Sequence, residues 1–208
     1  MHIITISREF GSGGREVGKR LAEALGYAYY DRELLTMLAR QMDMDENYLA
    51  NMLEESNLTT LYPITIGQSF AVLPSATAEY STALLQEQTA LIKQLAARSN
   101  CVIVGRNADL ILRERNPLRI FVHADMEARI ARCRQREQED ITRSDRDYEK
   151  KIRQIDKNRA RTHDILGDYD WGDRRGYDLT VNTSGITIKD IIPALADYAR
   201  IWAEAHGE

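Results

Sequence analysis

The stretch ISREFGSGGREVGKRLAEALG, residues 6–26, decides the fold. It follows HIITI (2–6), a short β-branched run that predicts a buried strand. After the glycines, Val17, Leu21, Ala24 and Leu25 recur at helical spacing, and Gly26 supplies a stop. YAYYD (27–31) predicts a second strand. Strand, glycine loop, helix and strand in that order form a βαβ unit, which implies a parallel sheet.

The glycines read in two registers. A standard phosphate loop is G-x-x-x-x-G-K-[ST], whose backbone N–H groups cradle phosphates while its lysine and hydroxyl serve the phosphates and magnesium. Gly13, Gly18 and Lys19 match literally, but Arg20 stands where the hydroxyl belongs. That register also starts the helix too late, because Val17 already shares the apolar face of Leu21, and it is rejected. The second register ends the strand at Ile6 or Ser7, makes 8–14 the loop and starts the helix near Arg15. Gly11, Ser12, Gly13 and Gly14 then lie at a helix N-terminus, where N–H groups and the dipole favour an anion. The lysine position is Gly14, followed by Arg15, and Glu16 takes the hydroxyl position. Arg15 offers a cation as a planar fork. A glycine turn serving only tight packing remains an alternative. So does a dinucleotide loop, since Gly11-Ser-Gly13 opens G-x-G-x-x-G and Asp31 follows at about 20 residues. Its third glycine is replaced by Glu16.

The 208 residues fit one domain, and 43% hydrophobic with 29% charged residues is a globular composition. A net charge of −4 gives no overall field for nucleic acid or anionic membrane, so neither is expected as a partner. Cys101 and Cys133 form neither a ligand spacing nor a disulfide framework. No leader-like segment and no apolar run of spanning length is read, and a cytoplasmic protein is expected.

Further along, residues 33–56 are helix-prone, and NLTTLYPITIGQSFAVLPSATAEY (57–80) is the least regular part. A helix is predicted near 79–98, strands at CVIVG (101–105), LRIFVHA (118–124) and DLTVNTS (178–184), and a short helical piece at 110–113. A helix over 126–136 carries Arg129, Arg132, Arg134 and Arg136, read as a solvated face. Helix continues from Ser144, and a last helix tolerates Pro193 near its start. This order predicts an α/β fold, a five-stranded parallel sheet with helices on both faces and polar excursions near 36–80 and 137–175. Asp31 and Arg32 end the second strand, and Gly105, Arg106, Asn107 and Asp109 follow the third, at the sheet edge where ligands bind. Asp31 reads equally as a helix N-cap. Arg153, Arg159 and Arg161 add positive charge of the kind phosphoryl transfer requires. His123 and His163 have no partner in the sequence, and Trp171 is expected to anchor its loop to the core.

Four segments carry a resemblance: ITISREFGSGGREVGKRLAEALGYAYYDRELL (4–35), CVIVGRNADLIL (101–112), LRIFVHADMEARIARC (118–133) and WGDRRGYDLTVNTSGI (171–186). Together they resemble the cytidylate kinase-like family, divergent P-loop nucleoside monophosphate kinases. The resemblance implies a three-layer P-loop NTPase fold with sheet order 2-3-1-4-5 in one domain, 1–208. It implies an acceptor-binding lobe at about 36–80 and a lid at about 137–165. It also implies ATP with Mg2+ as donor and a small nucleotide, CMP or dCMP, as acceptor. Gly11, Ser12, Gly13, Gly14 and Arg15 would hold the donor phosphates. Arg32 and Arg106 would bind the acceptor phosphate, with Asn107 or Asp109 near the acceptor sugar or base. Arg15, Arg153, Arg159 and Arg161 would stabilise the transferring group, and Glu16 would reach magnesium through water. Cytidylate kinases carry Gly-Lys-Gly-Thr where this chain has Gly-Gly-Arg-Glu (13–16), and Asp-Gly-Arg-Asp where it has Val-Gly-Arg-Asn (104–107). Those departures keep a second function in view, a nucleotide-binding regulatory protein that has lost transfer.

Overall fold

The computed structural model describes residues 1–47, 49, 76–136 and 143–206. Five strands form one parallel sheet: β1 (Ile3–Arg8), β2 (Ala28–Tyr30), β3 (Cys101–Val104), β4 (Leu118–His123) and β5 (Leu179–Asn182). Their order is β2-β3-β1-β4-β5, as the resemblance implies. The helices are α1 (Gly14–Leu25), α2 (Arg32–Gln41), α3 (Ala76–Ala96), α4 (Ala108–Ile111), α5 (Met126–Arg136), α6 (Asp145–Leu166) and α7 (Ile188–His206).

Both faces of the sheet are covered, which is why its strands read as continuous apolar runs instead of alternating ones. Ile3, Cys101 and Ile103 point to one side, where Leu34, Leu38, Ile92 and Leu95 of α2 and α3 meet them. Ile4, Ile6, Val102, Val104, Ile120 and Val122 point to the other, against Val17 and Leu21 of α1 and Ile188, Ile192 and Leu195 of α7. Each of these side chains contributes about 1.5–3 kcal/mol by leaving water. Trp171 docks as expected, edge-on to Phe121 of β4 with ring centroids 5.3 Å apart. No described helix is long and apolar enough to cross a membrane.

β1 runs further than its sequence suggests. The sequence ends the strand at Ile6 or Ser7, yet both Ser7 and Arg8 pair with β4, opposite Phe121 and Val122. The ladder with β4 supplies backbone partners that outweigh the polar character of these residues. Helix α6 starts at Ser144 with a capping box: the Ser144 hydroxyl accepts from the Asp147 amide, and the Asp147 carboxylate accepts from the Ser144 amide. Of the expected lobe at 36–80, residues 48 and 50–75 lie outside the described residues, as do 137–142 of the expected lid.

Candidate active site

The glycine loop leaves β1 and enters α1 through Gly13, the N-cap, at φ 85°. A left-handed backbone there suits glycine and leaves the N-cap without a side-chain acceptor, so the first-turn amides of a 12-residue helix face the cleft unsatisfied by the chain's own caps. The helix begins at Gly14, which agrees with the second register. Lys19 of the rejected register is exposed, a full turn further on. The cleft in front of the loop holds about 410 Å3 and is lined by Arg8, Gly11, Gly13, Gly14, Arg15, Arg32, Arg136, Lys151 and Arg159, among others. It is a strongly cationic hollow at the carboxyl edge of a parallel sheet, where α/β folds bind their ligands.

Each expected residue has a definite place. Ser12 is fully buried and turns inward, its hydroxyl donating to the Glu9 carbonyl at 2.9 Å, so it shapes the loop. Arg15 sits at the rim in an ion pair with Asp31, its side chain half exposed. Asp31 precedes α2 without making a capping hydrogen bond; its carboxylate serves Arg15 instead. Arg32 lines the cleft from the first turn of α2. Arg106 follows Gly105 in a run of three left-handed residues, Gly105 at φ 72°, Arg106 at 59° and Asn107 at 53°. Two non-glycine residues in that region cost roughly 1–2 kcal/mol each, a strain that clusters at functional turns. Arg159 reaches the loop from α6, donating to the Arg8 carbonyl at 3.0 Å and stacking over Phe10.

Others do not join the cleft. Glu16 does not line the cleft and pairs with Arg20 one turn on, at 2.8 Å. Among the described residues no group of three His, Cys, Asp or Glu side chains is placed to hold a metal. Arg153 is exposed and pairs with Glu149 at 2.7 Å, and Arg161 is half-buried without lining the cleft. Asp109 is buried, 2% exposed, and its Oδ2 accepts from Ser7 Oγ and Tyr169 OH at 3.3 Å each. His163 Nε2 lies 3.3 Å from the same oxygen. Through Oδ2, Asp109 therefore links β1, α4, α6 and the 167–178 loop, while its buried Oδ1 has no hydrogen-bond partner among the described residues. His163 thereby gains the partner that its sequence neighbourhood lacks, and proximity to Asp109 is among the causes that raise the Tyr169 and Tyr177 hydroxyls, after burial.

Of the arginines of α5, Arg134 and Arg136 are exposed as a solvated face would be, but Arg129 and Arg132 are not. Arg129, 6% exposed at its side chain, donates to the Phe10 carbonyl at 2.7 Å and pairs with Glu9 at 3.2 Å and with Asp156 of α6. Arg132 donates to the carbonyls of Ser12 and Thr183 at 3.2 and 2.6 Å. Asp156 in turn accepts from the Phe10 amide at 2.7 Å. Loop, α5 and α6 are thus clasped through charged side chains, a function that a run of arginines conceals. The three spaced 129, 132 and 136 share one helical face with Cys133, and that spacing was the available signal.

Sheet order, helices on both faces and the glycine loop together define a three-layer α/β P-loop fold. The model of the cytidylate kinase-like family matches residues 3–185, and the chain belongs to that family. An uncharacterized protein from Eubacterium ventriosum has a similar structure, with 24% identity, coverage of 96% of this chain and 99% of that one, and a TM-score of 0.68. Shikimate kinase from Bacteroides thetaiotaomicron is similar at 15% identity, with 96% and 98% coverage and a TM-score of 0.58. A gluconokinase from Sinorhizobium meliloti is similar at 18% identity, with 98% and 94% coverage and a TM-score of 0.54. At these identities the likeness concerns the fold. No curated protein sequence matches the chain.

Proposed function

We propose that the protein is an ATP-dependent phosphotransferase acting in the cytoplasm on a nucleoside monophosphate, CMP or dCMP. The observation that carries this reading is the glycine nest opening into a cleft lined by Arg8, Arg15, Arg32 and Arg159. ATP fits that set: first-turn amides and guanidinium groups are the donors that polyphosphate oxygens accept. Mg2+ would enter with ATP, held mainly by phosphate oxygens and water, which needs no cluster of three protein ligands; the arginines of the cleft add to that charge neutralisation.

The donor phosphates lie on Gly11 to Arg15. Arg32 and Arg106 orient the acceptor phosphate from the ends of β2 and β3, with Asn107 beside the acceptor sugar. The acceptor oxygen attacks the γ-phosphorus in line, and the bond to the β–γ bridging oxygen breaks as ADP leaves. Arg159 steadies the charge on the transferring group, and residues 137–165 act as the lid while 36–80 form the acceptor lobe. A coupled assay with Mg-ATP and a panel of nucleoside monophosphates tests this. Turnover restricted to cytidine nucleotides supports it, and background rates with all of them refute transfer.

One feature favours the regulatory alternative. Position 14 has no side chain, and Asp156 already occupies the Phe10 amide. Calorimetric nucleotide binding together with background turnover selects that alternative.

A further inference from the structure

With its second glycine at Gly13, the standard loop G-x-x-x-x-G-K places its first glycine at position 8 and its lysine at position 14. This chain has the reverse, Arg8 and Gly14. The two changes meet in space. A Cβ on Gly14 would stand 2.5 Å from Arg8 Cβ and 2.9 Å from Arg8 Cγ, so the stem of Arg8 fills the room in which a side chain at 14 would begin. Further out, the guanidinium lies across Gly105. A Cβ there would overlap Arg8 Nη1 outright and stand 2.6 Å from Cζ. Glycine at 105 is thus required twice, by its positive φ and by the shelf it leaves for the arginine fork.

The charge around Arg8 is unbalanced. Its guanidinium is pushed well below the ordinary arginine range, first by burial, then by Arg159, Arg106 and Arg15, with Asp31 opposing. Asp31 is itself engaged by Arg15. Among the described residues no hydrogen bond or ion pair reaches the Arg8 guanidinium, although its carbonyl accepts from Arg159. Neighbouring guanidinium groups raise the cost of a buried cation until an anion enters, and Arg8 lines the cleft that the glycine nest faces.

We propose that Arg8 is the phosphate-gripping residue of this cleft, delivering from the end of β1 the charge that a standard loop delivers from the first residue of its helix. The assignment deepens the kinase reading and rests on its phosphate-binding half alone. A guanidinium fork presents two N–H donors in one plane, which suits oxygens of neighbouring phosphates in a di- or triphosphate better than a point charge does.

The test is titration calorimetry of inorganic tripolyphosphate and of ATP into the wild type, Arg8→Met and the swap variant Arg8→Gly/Gly14→Lys, with melting temperatures alongside. Arg8→Met is expected to lose affinity for both ligands by about tenfold or more. It should melt no lower than the wild type without ligand, because a repelled, partly buried charge is gone. The swap variant is expected to recover tripolyphosphate binding. Affinity for Arg8→Met within about twofold of the wild type, on the same scale, overturns the assignment. So does a fall in its ligand-free melting temperature with unchanged affinity, which marks a purely structural arginine. Should Arg8→Met fail to fold, the swap variant decides: binding supports the role, and a folded swap variant without binding overturns it. Wild-type binding without turnover refutes transfer while leaving Arg8 in place, and turnover with wild-type affinity in Arg8→Met does the opposite.

Discussion

Arg129→Met removes the charge that clasps the glycine loop to α6 while keeping most of the side-chain volume. The arginine is 6% exposed at its side chain and is held by the Phe10 carbonyl, Glu9 and Asp156. Removing one partner of a buried ion pair costs about 3–5 kcal/mol, because the other is left uncompensated. Here the two carboxylates keep other donors: Glu9 accepts from the Ala124 amide at 3.1 Å, and Asp156 from the Phe10 amide at 2.7 Å. They also keep some water, at 26% and 15% side-chain exposure. The loss should therefore fall at the low end, about 3 kcal/mol. For a chain of this size that lowers the melting temperature by roughly 6–12 °C. Urea unfolding followed by circular dichroism measures the change directly. Asp156→Asn alone should cost less, and the double variant should cost less than the sum, by about 1–3 kcal/mol of coupling. A loss below about 1 kcal/mol for Arg129→Met, or strict additivity with Asp156→Asn, would refute the clasp.

Gly18→Ala brings a Cβ to 2.6 Å from Val104 Cγ2 and 3.2 Å from Ile6 Cδ1. The overpacking should outweigh the gain in helix propensity and leave a net loss of about 1–2 kcal/mol in chemical denaturation. Lys19→Ala should leave stability within about 0.5 kcal/mol and tripolyphosphate affinity unchanged, since Lys19 lies on the solvent face of α1; a lost affinity would revive the rejected register. The Asp147 carboxyl is held below its usual range by the Ser144 hydroxyl and then by the Ser144 amide. Its folded value being depressed, its contribution is present above about pH 4 and fades as pH falls through the folded value. Asp147→Asn should therefore flatten that part of an acid melting profile, and an unchanged acid slope counts against the capping box. Burial pushes the Cys101 thiol up to about 11, while Cys133 lines the cleft. Under native conditions alkylating reagents should label Cys133 first, and tripolyphosphate should slow that labelling; labelling of Cys101 at an equal rate would contradict the burial argument.

The sheet could be read from the chain because its signals are local. Buried β-branched runs, a glycine loop, and helical spacing in α1 each sit within a few residues, and a parallel order with two covered faces follows from them. The register of the loop was also readable, since Val17 and Leu21 share a face and only one start of α1 satisfies both. What the sequence hid is made by pairs far apart in the chain. Asp109 and His163 are separated by 54 positions, and only the approach of α6 to α4 brings them together. Asp109 follows the Gly105 turn, and α4 turns it inward onto Ser7, Tyr169 and His163. Arg129 and Arg132 resembled solvated charge because long basic side chains usually are solvated. Their burial depends on the loop carbonyls that they satisfy. Arg8 was passed over for a subtler reason: a strand end two residues earlier makes it a loop residue, one polar side chain among several.

Moving the cation from α1 to β1 changes what the cleft can do with it. A lysine on the first turn of a helix has four rotatable bonds and can follow a phosphate as it moves. Arg8 is fixed at its backbone by the pairing with Val122, at its stem by the room over Gly14, and at its fork by the shelf of Gly105. Such a group holds the non-migrating part of a polyphosphate well and tracks a migrating one poorly. On the proposed kinase reading the migrating charge would then be met by a second residue, and Arg159 of α6 lines the same cleft. Arg159 also donates to the Arg8 carbonyl, so any movement of α6 that brings its guanidinium onto the phosphates releases the backbone of the fixed cation. Arg159→Lys keeps the charge but loses the planar fork, and should depress turnover much more than nucleotide affinity. A loss confined to affinity would instead place Arg159 with Arg8 as a holding residue.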